Sequence, residues 1–217
     1  MKTVSSILTK QWEALYSELS SSRDGRPALA GLFLGWKPDG FDTQAKRLLL
    51  VGKATAGEFK GEGIHEQSFG GNSAFWRFAL EMSHSAGAQN DELVNVAWSN
   101  VSKIGTVDGN PPDSLQLAQA ALACRTLRQE IDDCKPTLVV FVCDGYCDDV
   151  VYDAVNAERG GLNDFETRQS AHGEFYVRTE VRDGPKHLPP MLWLRHPQGK
   201  LSARLKEWTE EPERLMA

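Results

Sequence analysis

Three short apolar runs constrain this chain more than any other feature: Arg47-Leu48-Leu49-Leu50-Val51, Thr137-Leu138-Val139-Val140-Phe141-Val142 and Met191-Leu192-Trp193-Leu194. A strand with one face in water alternates apolar and polar residues, whereas a strand covered on both faces has no polar side to show. None of these runs alternates, so each predicts a strand inside a parallel sheet with helices above and below. Leu93–Trp98, rich in strand formers, runs into Ser99–Lys103 and adds a fourth strand. Gly173–Val181 alternates in part through Phe175, Val177, Thr179 and Val181, the pattern of an edge strand.

Amphipathic helices separate the runs. Leu8, Trp12, Leu15 and Leu19 stand at helical spacing and predict an N-terminal packing helix over 6–20. Ser73–Ser85 repeats the pattern through Phe75, Phe78, Ala79 and Met82. Pro111-Pro112-Asp113-Ser114 opens a helix with a predicted buried stripe of Leu117, Ala120, Cys124, Leu127 and Ile131, closed by Pro136. Cys147, Val150, Val151 and Ala154 share a face of a short helix, and Leu201, Leu205 and Trp208 mark the last one.

This alternation predicts an α/β fold: a three-layer αβα arrangement around a mostly parallel central sheet of about four strands. One domain over 1–217, with its core in 47–208, is the expectation for a chain of 217 residues. Ligands of such folds bind beyond the carboxyl ends of the strands. Here those ends are Gly52–Phe59, Ser99–Lys103, Cys143–Tyr146 and Arg195–Lys200. Six glycines between Gly52 and Ser73 predict a long loop, and long loops in compact domains are commonly functional. A second large loop is expected over Gly160–Gly173.

Composition narrows the class. With 30 Asp+Glu against 24 Lys+Arg the net charge is −6, which argues against a non-specific nucleic-acid coat or a membrane-surface protein. No apolar window of about 18 residues is present, and Met1–Ser6 does not begin a secretory signal, so a soluble cytoplasmic protein with no membrane partner is expected. Cys124, Cys134, Cys143 and Cys147 lack C-x2-C spacing, and the five histidines show no i, i+4 pair. Reduced thiols, no metal and no cofactor follow as expectations. Gly52-x4-Gly57 has a P-loop outline, but Glu58 and Phe59 stand where Lys and Ser/Thr are needed, which rejects a nucleoside triphosphatase. Gly184–Lys206 contains no acidic residue but has Lys186, Arg195, Lys200, Arg204 and Lys206, a basic strip in an otherwise acidic chain.

The strand ends, taken in order, resemble the uracil-DNA glycosylase superfamily. Leu50-Val51-Gly52-Lys53-Ala54-Thr55-Ala56-Gly57 is similar to its first motif, a strand entering a Gly-led loop of the GQDPY, GEAPG or GINPG type. Trp193-Leu194-Arg195-His196-Pro197-Gln198-Gly199 resembles its second, a strand ending in His-Pro. Between them, Gly71–Leu80 is similar to the G-x-R-F-W helix start of mismatch-specific members. Trp98-Ser99-Asn100-Val101-Ser102-Lys103, with Asn110-Pro111-Pro112 beyond, resembles a T-N-V-V-K-x-R-P-P stretch. The resemblance spans 47–201.

It implies that the protein recognises a flipped-out, deaminated or mismatched base in DNA and hydrolyses its N-glycosidic bond. His196 would donate to the charge developing on the leaving base, and Asn100 would read a pyrimidine edge with its paired donor and acceptor. Phe59 would stack on the base, with Gly52 and Lys53 beside it. Gly57, Arg195, Gln198, Gly199, Lys200 and Arg204 would meet the DNA backbone. Where the family presents Asp, Glu or Asn to position water, this chain has Lys53 and Ala54. Glu58, Glu62 or Thr55 would have to substitute, since lost general-base help costs roughly 10² to 10⁴ in rate. The alternative is a catalytically weak or inactive module binding a base, nucleotide or DNA.

Blander uses of these residues remain open at this level. His196 also suits a strand-end cap, Asn100 a turn closed on its own backbone, and Lys53 a solvated loop charge rather than a phosphate contact or amine nucleophile. A third class, a cysteine hydrolase pairing Cys143 with His196, lacks any nucleophile-elbow sequence around Cys143. Oligomeric state is left open.

Overall fold

The computed structural model describes residues 5–21, 27–56, 73–89, 92–143, 148–156, 165–169, 175–180, 189–197, 208–210 and 214–216. In chain order the elements are α1 (Ser6–Ser21), β1 (Leu29–Leu32), a 3-10 turn (Phe41–Thr43), β2 (Leu48–Ala56), α2 (Ala74–Ser85), β3 (Val96–Thr106), α3 (Asp113–Cys134), β4 (Leu138–Val142), α4 (Asp148–Asn156), β5 (Phe165–Gln169), β6 (Phe175–Glu180) and β7 (Met191–Leu194). The seven strands form one sheet in the order β1-β3-β2-β4-β7-β6-β5.

The four strands read from the sequence are its parallel centre. β2 pairs in parallel with both β3 and β4, and β4 pairs in parallel with β7. Three antiparallel strands extend it: β1 beside β3, then β6 and β5 beyond β7. The sheet therefore exceeds the expected four strands. β1 falls in a Gly-punctuated stretch and β5 within the expected loop Gly160–Gly173, so neither carries a strong strand signal. The expected edge strand forms β6, but it is flanked by β5 and β7.

Both faces of the sheet are covered, and alternation of side chains sorts the core. Leu49, Val51, Val139, Phe141, Met191 and Trp193 point to one face, against Leu127 and Ile131 of α3 and Val151 and Ala154 of α4. Leu48, Leu50, Val140 and Leu192 point to the other, against Phe78, Ala79 and Met82 of α2 and against Trp208. This is the three-layer αβα arrangement that the apolar runs predict. α1 lies outside α3, with Trp12 fully buried and donating its indole N–H to Thr126 Oγ1 at 2.8 Å.

Three sequence expectations need correction. The predicted break at Gly52 does not occur: β2 continues through it to Ala56. β3 likewise continues past Ser99–Lys103 to Thr106, so Asn100 lies inside a strand rather than beyond its end. The predicted α3 stripe holds at Leu127 and Ile131, which are buried, but fails at its start, where Leu117 is 77% exposed, and it omits Leu115, Gln119, Thr126 and Glu130, which are buried. A count of apolar residues misses that face because polar side chains occupy part of it. Gln119 accepts from Ile104 N and donates to Ile104 O, both at 3.0 Å.

Candidate functional site

The chain passes from β2 to β3 through α2 on one face, and from β3 to β4 through α3 on the other. Strand order thus reverses between β2 and β4, where a crevice opens at the carboxyl ends in folds of this type. The segments around that point are the second half of β2, the middle of β3, the first turn of α2 and the turn after β7.

In β2, Gly52 is paired with Asn100 of β3. A Cβ at position 52 would fall 2.6 Å from Asn100 Oδ1 and 3.5 Å from the Phe75 ring. The contact with the Phe75 ring would be ordinary, but a Cβ does not come within 3.0 Å of a neighbouring atom, so the missing side chain of Gly52 is what allows the Asn100 amide to lie across β2. Asn100 is only 2% exposed, a depth at which an amide must be hydrogen-bonded.

Phe75 links this pair to the last strand. Its ring centroid is 6.4 Å from that of His196, with the planes only 20° apart. His196 is half-buried, and its neighbour Arg195 is exposed. Phe75 also lies 6.0 Å from Trp98, which contacts Trp76 edge-on at 4.8 Å and Phe33 at 4.2 Å. The Ser73 hydroxyl accepts from Trp76 N and caps α2, which fixes the first turn carrying Phe75 and Trp76. Gly52, Asn100, Phe75 and His196 thus form one group contributed by four segments.

Lys53, half-buried, follows Gly52 in β2. Gly57, Glu58, Phe59, Gln198, Gly199, Lys200 and Arg204 lie outside the described residues, as do Glu62, Lys186 and Lys206. The aromatic group of Phe33, Trp98, Trp76 and Phe75 is the part that sequence reading misses. Phe75 and Trp98 are visible in their separate segments, but nothing in the spacing says that they meet.

Lys103 belongs to a different environment from Asn100. Its ammonium is fully buried on the α3 face, 2.7 Å from both carboxylate oxygens of Glu130, and Glu130 also accepts from Ser99 Oγ at 2.7 Å. Burial pushes the Lys103 pKa down and that of Glu130 up, while their mutual attraction opposes both shifts. Cys134, nearby on α3, is pushed up to about 12, chiefly by burial and then by the Glu130 charge. Such a thiol stays protonated and inert at neutral pH.

Cys143 is 3% exposed, with its Sγ 3.6 Å from Val51 O. It packs in the α3 and α4 cluster, on the face opposite α2 and Phe75. The structure therefore groups His196 with Phe75 and leaves Cys143 in the other layer. Among the described residues no three His, Cys, Asp or Glu side chains form a metal-ligating group. No helix among them is long and apolar enough to cross a membrane.

No protein-family model matches the sequence, and no curated protein matches it.

Proposed function

We propose that the protein is a uracil-DNA glycosylase-like protein that binds a flipped-out, deaminated or mismatched base in DNA at the carboxyl edge of its sheet and hydrolyses the N-glycosidic bond. The observation that carries this reading is the grouping of Asn100, packed against Gly52, with His196 through the Phe75 ring. Gly52, Phe75, Asn100 and His196 come from four sequence-distant segments, each of which resembles a stretch of the family.

The chemistry follows from side-chain type. The Asn100 amide offers one donor and one acceptor, which match the O4 and N3–H edge of uracil. An imidazole N–H of His196 donates to the base carbonyl as the glycosidic electron pair moves onto the ring, lowering the energy of the departing anion. Water then adds to the sugar carbon, its proton passing to solvent or to the base, which leaves an abasic site. Phe75 offers an apolar wall beside the base.

A second reading, binding without cleavage, is favoured by one specific observation. Lys53 and Ala54 occupy the β2 positions at which a water-orienting carboxylate or amide would stand. The two readings separate by alkali-revealed strand cleavage of oligonucleotides carrying uracil, hypoxanthine, xanthine or a thymine mismatch. At protein excess, abasic product from at least one substrate, abolished in His196→Ala, is expected. No product from any of them overturns the glycosylase assignment and leaves the binding module.

A further inference from the structure

Directly behind Asn100, on the α3 face of β3, lies the buried ion pair. Ser99 precedes Asn100 and Lys103 follows it by three positions, and both are bound by the carboxylate of Glu130. The Lys103 ammonium also donates to Ser99 Oγ, reaching back along the strand past the stretch that carries Asn100. Residues four apart in a straight strand are separated by about 13 Å, so this bond calls for a shortened β3. The register shows the shortening: Ala54 faces Ser102 and Ala56 faces Thr106, two steps of β2 against four of β3. Gln119 of α3 pins the bulged stretch by bonding both backbone polar groups of Ile104 at 3.0 Å. Ser99 Oγ also lies 3.5 Å from Asn100 O.

Stability alone does not call for this arrangement. Apolar residues of similar volume commonly match or exceed a fully buried ion pair in stability, because both charges lose their water. What such residues do not supply is direction, which hydrogen bonds do. We propose that Ser99, Lys103 and Glu130 are positioning residues, a clamp behind β3 that fixes the angle of the Asn100 amide and thereby sets base discrimination. The inference deepens the functional reading above and rests on it for the role of Asn100. A hydrogen bond weakens steeply as its angle falls below about 120°, so a small rotation of β3 removes the discrimination by Asn100 while leaving contacts to the rest of the strand intact.

The test is fluorescence anisotropy with labelled single-stranded oligonucleotides that carry one uracil or one cytosine at the same position. Wild-type protein is expected to prefer the uracil strand about five- to a hundredfold, the worth of one bidentate contact between an amide and a base. The triple variant Ser99→Ala/Lys103→Met/Glu130→Leu removes the clamp without stranding a charge. It is expected to keep the wild-type circular dichroism and cytosine-strand affinity but to bind both strands equally. A folded triple variant that keeps the preference, or that loses affinity for both strands alike, overturns the proposal and leaves base recognition standing. If the triple variant does not fold, Ser99→Ala, which leaves Lys103 paired with Glu130, decides: a reduced preference is expected, and an unchanged one overturns the proposal. Equal affinity of the wild type for both strands overturns base recognition itself, and the clamp's role with it.

Discussion

At the scale of single residues, Gly52 and Asn100 behave as one unit. The absent Cβ of one is the space used by the amide of the other, 2.6 Å away. Gly52→Ala should therefore push Asn100 aside, at a cost of about 1–3 kcal/mol typical of overpacking a filled site. In an Asn100→Ala background the obstruction is gone, so the same Gly52→Ala change should cost little. Urea midpoints of the wild type, both single variants and the double variant measure the coupling. Additive effects would mean that the two positions do not share the space. The sequence shows a strand running into glycine and, separately, an asparagine near another strand's end. It does not show that the glycine stays within the strand, because a loop-forming glycine and one that admits a neighbour look alike until the partner strand is in register.

At the scale of elements, β3 has two functions on its two faces. Asn100 and Trp98 face α2 and the candidate site, while Ser99 and Lys103 are held from behind by Glu130 of α3. Removing one charge of a fully buried pair strands the other, so Lys103→Ala or Glu130→Ala should each lose about 3–5 kcal/mol. The joint replacement Lys103→Met/Glu130→Leu/Ser99→Ala, which removes charges and hydroxyl together, should recover most of that loss. Denaturant unfolding of the single and triple variants checks this, and single losses below about 1 kcal/mol would contradict a dry, paired site. The same network explains why α3 is only partly legible. Its ends are signalled by Pro112 and Pro136, but Gln119, Thr126 and Glu130 face inward because β3 and α1 supply partners for their polar atoms. An apolar period cannot register a buried face that carries carboxylate, amide and hydroxyl groups. Leu117 reads as core in the sequence and is instead on the surface.

At the scale of the whole molecule, the parallel order β3-β2-β4-β7 accounts for why residues 52, 75, 100 and 196 meet. Each belongs to a strand, or to the turn or helix next to a strand's carboxyl end, and strand order reverses beside them. The four apolar or β-rich runs make this sheet centre readable from sequence, since double burial leaves no polar alternation. β1 and β5 are not readable in that way, being short edge strands without such a run. The proposed function requires this edge to act as a single base-recognition site, whether or not it cleaves. The measurement is the equilibrium affinity for a uracil-containing single strand against the same strand with cytosine, in the wild type and in Asn100→Ala. Tighter binding of the uracil strand by the wild type is expected, because cytosine presents an amino group and a bare N3 where uracil presents O4 and N3–H, with that preference lost in Asn100→Ala at unchanged cytosine-strand affinity. Equal affinity of the wild type for both strands, or a preference that survives Asn100→Ala, would contradict it.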